Sequence, residues 1–139
     1  MRKVVIVTHK SMAIGCKDTL VFFTNFSDQI VAISAYDDGG NVFPEEKLKK
    51  AVEQEKNPED EIIILTDLLG GSVNQHTLRY IKDDVFLITG FNLALAVSIL
   101  LEPDERLTIE KLSTLIGQSQ DQMVLMNTYK AKNDSVLDE

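Results

Sequence analysis

Glu61-Ile62-Ile63-Ile64-Leu65-Thr66-Asp67-Leu68-Leu69-Gly70-Gly71-Ser72 reads as a strand, a tight loop and the first residue of a helix. Four consecutive apolar residues, three of them β-branched, suit a strand buried on both faces. Such strands belong to parallel sheets covered by helices on each side. Asp67 ends the strand, the glycines turn the chain, and Ser72 opens a helix predicted to reach about Ile81.

Working toward the N-terminus, the same grammar recurs. Val4-Val5-Ile6-Val7 is another short apolar run and ends at Thr8-His9. Ser11 is placed to cap a helix reaching roughly Asn25, with Ile14, Leu20, Phe23 and Phe26 toward the sheet. Ile30 to Ala35 is the next strand, and Asp37-Asp38-Gly39-Gly40-Asn41 a loop. Pro44 suits a first helical turn, with Glu45 and Glu46 at the positive end of the helix. Leu48, Ala51 and Val52 give that helix an apolar stripe to about Lys56, where Asn57-Pro58 stops it.

Toward the C-terminus, Val85 to Thr89 is a fourth strand and Gly90 a turn. Asn92 caps a helix that ends before Pro103, and Thr108 caps another to about Ser119. Met123 to Met126 reads equally as strand or helix end. Strands alternating with helices imply right-handed crossovers. The expected fold is α/β: a doubly wound, mainly parallel sheet with helices on both faces. The expected domain spans residues 1–130, with 131–139 an acidic tail.

The bulk properties narrow the function. A chain of 139 residues with 44% hydrophobic content buries a core without staples. Its formal net charge is −8 and it has no basic cluster, which argues against nucleic acid or an anionic membrane as partner. No apolar run approaches a bilayer span, and the N-terminal apolar stretch is too short for a signal peptide, so the expected location is the cytoplasm. The single cysteine, Cys16, fits a reducing compartment and reads as a packed helix residue.

In parallel α/β sheets, function sits beyond the carboxyl ends of the strands, at a switch point in strand order. In a flavodoxin-like order the first and third strands are neighbours there. His9 and Asp67 then meet. A carboxylate beside an imidazole fixes its tautomer and leaves the other ring nitrogen as a nucleophile. An isolated pair of this kind is equally well a loop histidine and a helix cap. Gly70, Gly71 and Ser72 add a third element. Glycines let backbone N–H groups approach an anion, a helix N-terminus adds partial positive charge, and the Ser72 hydroxyl can donate. On its own such a triplet is usually only a turn. Beside a strand-end His–Asp pair it makes a cradle for a tetrahedral anion carried on the histidine.

Other chemistries are missing. The sequence has no Walker-type loop, no metal-ligand spacing and no Gly-x-Ser-x-Gly elbow. No cofactor and no metal are therefore expected. His76, one turn into the helix after Ser72, reads as an ordinary helix residue or a flank of the site.

Val7-Thr8-His9, Leu65-Thr66-Asp67-Leu68-Leu69-Gly70-Gly71-Ser72 and Ile88-Thr89-Gly90-Phe91-Asn92-Leu93-Ala94 together resemble the mannose-type (mannose/fructose/sorbose) enzyme IIA components of the bacterial phosphoenolpyruvate–sugar phosphotransferase system. The resemblance runs from about Val4 to Leu101. It implies a flavodoxin-like fold, a homodimer and a histidine phosphorylated on the nitrogen facing away from the aspartate. His9 then accepts the phosphoryl group, Asp67 orients it, and Gly70, Gly71 and Ser72 bind phosphate. The implied donor is the histidine phosphocarrier protein and the implied acceptor a IIB component. Two positions depart from the family pattern: Lys10 stands where glycine is common, and Val73 where proline is common. The Lys10 ammonium either adds charge to the phosphate or faces water; strong hydration favours water. The alternatives are the phosphoryl-carrier subunit of a dihydroxyacetone kinase, which shares the chemistry, and a receiver-like signalling module. The latter needs an acidic pair after the first strand, where Thr8, His9 and Lys10 stand. Leu93 to Leu101, apolar on almost every side, is a further hint of a dimer interface.

Overall fold

The computed structural model describes residues 1–129; the acidic tail, 131–139, lies outside the described residues. Four strands carry the architecture: β1 (Arg2–His9), β2 (Ile30–Ala35), β3 (Glu61–Thr66) and β4 (Val85–Thr89). They form one sheet in the order β2-β1-β3-β4, every pair parallel. This is the flavodoxin-like order, with β1 and β3 adjacent at the reversal.

The alternation of side chains along each strand divides the core in two. Val4, Ile6, Ile63, Leu65 and Ile88 face α1 (Met12–Thr24), α4 (Leu93–Leu101) and α5 (Ile109–Gln120). Val5, Val7, Ile33, Ile62 and Ile64 face α2 (Glu45–Lys49) and α3 (Ser72–Thr77). Both faces are covered, which is why the centres of β1 and β3, Val4 to Val7 and Ile62 to Leu65, are apolar without interruption.

The strands and the caps of α4 and α5 match the sequence reading. Asn92 Oδ1 accepts from the Leu95 N–H at 2.9 Å, and Thr108 Oγ1 from the Lys111 N–H at 3.0 Å. α1 differs. Ser11 makes no side-chain cap; Thr8, from the end of β1, accepts from the Ala13 N–H at 2.8 Å. That bond sets the helix phase. Ala13, Leu20 and Thr24 are buried and Phe26 is half-buried, whereas Ile14 and Phe23 are exposed. At about 100° per residue, Ile14 and Phe23 fall on opposite flanks of the stripe through Ala13 and Leu20.

Two further helices depart from the expectation. α2 widens into a π-helical turn over Lys50–Gln54, which keeps Leu48, Ala51 and Val52 all against the sheet. α3 tightens after Thr77 into a 3₁₀ turn, Leu78–Tyr80. The Thr77 hydroxyl donates to the Asn74 carbonyl at 2.8 Å, competing with the helical ladder. Residues 123–125 are neither strand nor helix, and a short helical stretch occupies 126–129. Among the described residues, no helix is long and apolar enough to cross a membrane.

At the bottom of the sheet, Arg2 is buried and ties β1 to its neighbours. It donates to Glu61 at 2.9 Å, to the Ile99 carbonyl in the last turn of α4, and to the carbonyls of Glu102, Pro103 and Glu105 that follow that helix. This leaves the opposite end, where the strands point, free to build a site.

Candidate functional site

β1 and β3 run side by side, with Val7 opposite Thr66. The residues that follow each pair therefore meet at the top of the sheet. Asp67 Oδ2 accepts from the His9 backbone N–H at 2.9 Å and from the ring Nδ1–H at 2.8 Å. The two bonds lock backbone and ring to one oxygen. The Leu68 N–H donates to the other oxygen, Oδ1, at 3.0 Å. Burial would raise the Asp67 carboxyl, but these N–H donors and the neighbouring imidazole outweigh it and hold it below the usual carboxylate range. Asp67 is therefore an ionised, oriented acceptor.

With Nδ1 donating, the neutral ring carries its lone pair on Nε2. No described residue bonds Nε2. The His9 side chain is 37% exposed against 11% for Asp67, so the pair has one open side and one closed side.

The loop after Asp67 borders the open side. Gly70 adopts φ +77°, a conformation that costs other residues energy. A Cβ at Gly71 would sit 3.5 Å from His9 Cε1, so the loop passes against the imidazole edge. The Gly71 N–H itself is taken by the Leu68 carbonyl at 3.2 Å, closing the turn. The anion donors still open are therefore the first-turn amides of α3, beginning at Ser72, which precede the first intrahelical bond. The loop tip exposes Leu68 and Leu69.

Two residues at this end were not singled out from sequence. Tyr36 follows β2 at φ 61°, donates its hydroxyl hydrogen to Ser72 Oγ at 3.0 Å, and sets its ring 5.7 Å from that of His9. The rule that sites gather at strand ends would have flagged it, since it stands just past β2 as His9 ends β1. Thr66, buried below Asp67, donates to the buried Asn74 Oδ1 at 3.1 Å and so ties β3 to α3. No sequence signal marks that bond.

Lys10 is exposed and takes φ 55°, the left-handed region in which a glycine is unstrained. Its N–H donates to the Ala35 carbonyl at 2.7 Å. His76 stands one turn along α3, stacked on Phe43 at 4.3 Å, with Nδ1 3.5 Å from Glu45. Glu45 is the carboxylate that α3's own sequence did not contain. Cys16 is half-buried, and burial pushes its thiol up, away from reactivity.

A model of the family of PTS (phosphotransferase system) fructose IIA components matches residues 3–116. No curated protein matches the chain in sequence. Several solved structures share the fold. One is a proposed phosphoenolpyruvate-dependent sugar phosphotransferase system permease from Klebsiella pneumoniae, with TM-score 0.76 and 22% identity over 91% of each chain. Another is the PTS IIA protein associated with the fucose utilization operon of Streptococcus pneumoniae, with TM-score 0.73 and 24% identity over 92% of this chain and 95% of that one. A third is the mannose/sorbose-specific IIA subunit from Enterococcus faecalis, with TM-score 0.71 and 21% identity over 89% and 93%. At these identities the likeness is one of fold.

Proposed function

The chain belongs to the family of phosphotransferase-system fructose IIA components, and from that premise we propose that it is a cytoplasmic phosphoryl carrier for sugar uptake, loaded on His9. The donor is the phosphorylated histidine phosphocarrier protein and the acceptor a IIB component. The observation that carries the reading is the His9–Asp67 pair: one ring nitrogen is held by an ionised carboxylate at 2.8 Å while the other is left open.

In this reading the His9 Nε2 lone pair attacks phosphorus. A new N–P bond forms as the donor's N–P bond breaks, and the donor imidazole leaves with that electron pair. Positive charge grows on the His9 ring, and Asp67 stabilises it through Nδ1–H. The phosphoryl oxygens are met by the Ser72 hydroxyl and the first-turn amides of α3. Gly70 supplies the turn and Gly71 the room beside the ring. The reacting group arrives on another protein, so the site needs a rim for docking more than an enclosed pocket. Exposed Leu68 and Leu69 supply apolar contact there.

Incubation with phosphoenolpyruvate, the general phosphotransferase proteins and the purified chain tests this. The wild-type protein and His76→Ala should take up label, and His9→Ala should take up none. Label surviving His9→Ala would overturn the assignment.

A further inference from the structure

Among the polar groups at the top of the sheet, Tyr36 has a placement that neither the family motif nor periodicity explains. A tyrosine at φ 61° sits in the left-handed region, where its Cβ crowds the backbone and the conformation is strained. Its ring packs between His9, at 5.7 Å, and Phe43, at 6.5 Å. The strained backbone and this packing aim the phenol across the loop, where it donates to Ser72 Oγ at 3.0 Å.

We propose that Tyr36 is a positioning residue for phosphoryl transfer, its hydroxyl holding the Ser72 hydroxyl as a donor toward the phosphoryl oxygens on His9. A serine hydroxyl has one hydrogen and two lone pairs. Left alone it rotates among several partners. When Tyr36 O–H donates to Ser72 Oγ, one lone pair is occupied and the serine hydrogen is turned away from the phenol. An anion beside Ser72 then receives that hydrogen, and the chain Tyr36 O–H to Ser72 O–H to phosphoryl oxygen runs donor to acceptor without conflict. Each bond in such a chain polarises the next. The developing negative charge on the phosphoryl group therefore meets a stronger, pre-aimed donor than an isolated serine offers. Ser72 is tied to the histidine from two sides: it follows Gly71, which lies against the His9 ring, and it bonds the phenol whose ring is 5.7 Å from the imidazole.

The inference rests on the phosphocarrier reading and adds to it the residue that orients its anion donor. A merely structural role, tethering the end of β2 to α3, predicts a different outcome. Tyr36→Phe keeps the ring and removes only the hydroxyl. Single-turnover transfer from the phosphorylated donor protein should slow about fivefold, the scale of one lost hydrogen bond between neutral groups. The half-saturating donor concentration should stay unchanged, because the lost interaction belongs to the reacting group and not to docking. The decisive comparison is a double-mutant cycle. Tyr36→Phe should slow Ser72→Thr, which keeps a hydroxyl, but should have no further effect in Ser72→Ala. A tether would instead appear as lost stability with transfer intact, or as the same slowing in both serine backgrounds; either overturns the proposal. Wild-type protein that takes no label at all would overturn the phosphocarrier reading and this inference with it. Normal labelling at a rate indifferent to Tyr36 would overturn the inference alone.

Discussion

At the scale of single residues, the site depends on how one carboxylate is used. Asp67 accepts three N–H groups, two of them from His9. An amide at position 67 has one acceptor oxygen and can keep only one of the two backbone bonds, since the His9 N–H goes to Oδ2 and the Leu68 N–H to Oδ1. It cannot supply the negative charge that a phosphorylated, cationic imidazole needs, and it can present an N–H where an acceptor belongs. Asp67→Asn should still fold, since neither half of the core includes this side chain. Transfer to His9 should slow on the order of 100-fold or more. The residual label should still be lost in acid and stable in base, as a phosphohistidine is. A base-labile, acid-stable label on the wild-type protein would mark an acyl phosphate on Asp67 and revive the receiver-like alternative. Lys10 illustrates the opposite case at this scale. Its left-handed backbone explains why glycine suits the position after the histidine, while its exposed ammonium bonds to no described residue.

At the scale of elements, the N-terminal end of the sheet is fastened by charge. Asp60, just before β3, is 1% exposed and meets the Met1 amino group at 2.9 Å, Lys3 at 3.3 Å and the Asn57 N–H at 2.9 Å. Burial alone would raise its carboxyl. The N–H donors and Lys3 outweigh burial and hold it at about 2, against the usual 3.8. A carboxyl depressed by folding stabilises the fold above its unfolded value and loses that contribution as pH falls toward the folded one. The gain, roughly 2 kcal/mol near neutrality, should thus fade between about pH 4 and pH 2. Asp60→Asn should unfold at lower urea than wild type at pH 6, and the gap should close by pH 2. A gap that persists unchanged at pH 2 would show that the charge of Asp60 is not its cause.

The elements also show what a sequence can and cannot reveal. Strands such as Val4 to Val7 and Ile62 to Leu65 are legible because a parallel strand buried on both faces needs unbroken apolar residues, and few other structures do. The caps of α4 and α5 are legible because Asn92 and Thr108 act on amides three residues away. α1 was misread because its cap comes from Thr8, four residues before the helix, and its phase follows from where β1 ends. The His9–Asp67 contact could be inferred once the strand order was assumed. Tyr36–Ser72 and Thr66–Asn74 could not, because nothing local to either partner encodes which side chains two separate strand ends bring together.

At the scale of the whole molecule, the family resemblance implies a homodimer, and the structure shifts the physical argument for one. The apolar helix α4 packs between α1 and α5 as well as on the sheet. A single chain therefore covers most of a helix whose composition alone had pointed to a partner. The uncovered surface lies elsewhere. β4 is an edge strand among the described residues, with one side of its backbone unpaired by the sheet. Beside it runs a cleft of about 710 Å³ lined by Ile81, Phe86, Ile88, Leu112 and Ile116. Met123, Leu125 and Met126, beyond α5, are exposed as well. An open edge and an apolar groove in the same half of the chain make that half the natural contact surface, and a two-fold axis lets each copy cover the other's edge. Sedimentation equilibrium at micromolar concentration should return about twice the 15.6 kDa chain mass. Hydrogen exchange should find the outward β4 amides protected, and increasingly so as concentration rises through the dissociation range. A 15.6 kDa species throughout that range, with the same amides exchanging freely, would exclude the dimer and leave the His9 chemistry as a property of a single chain.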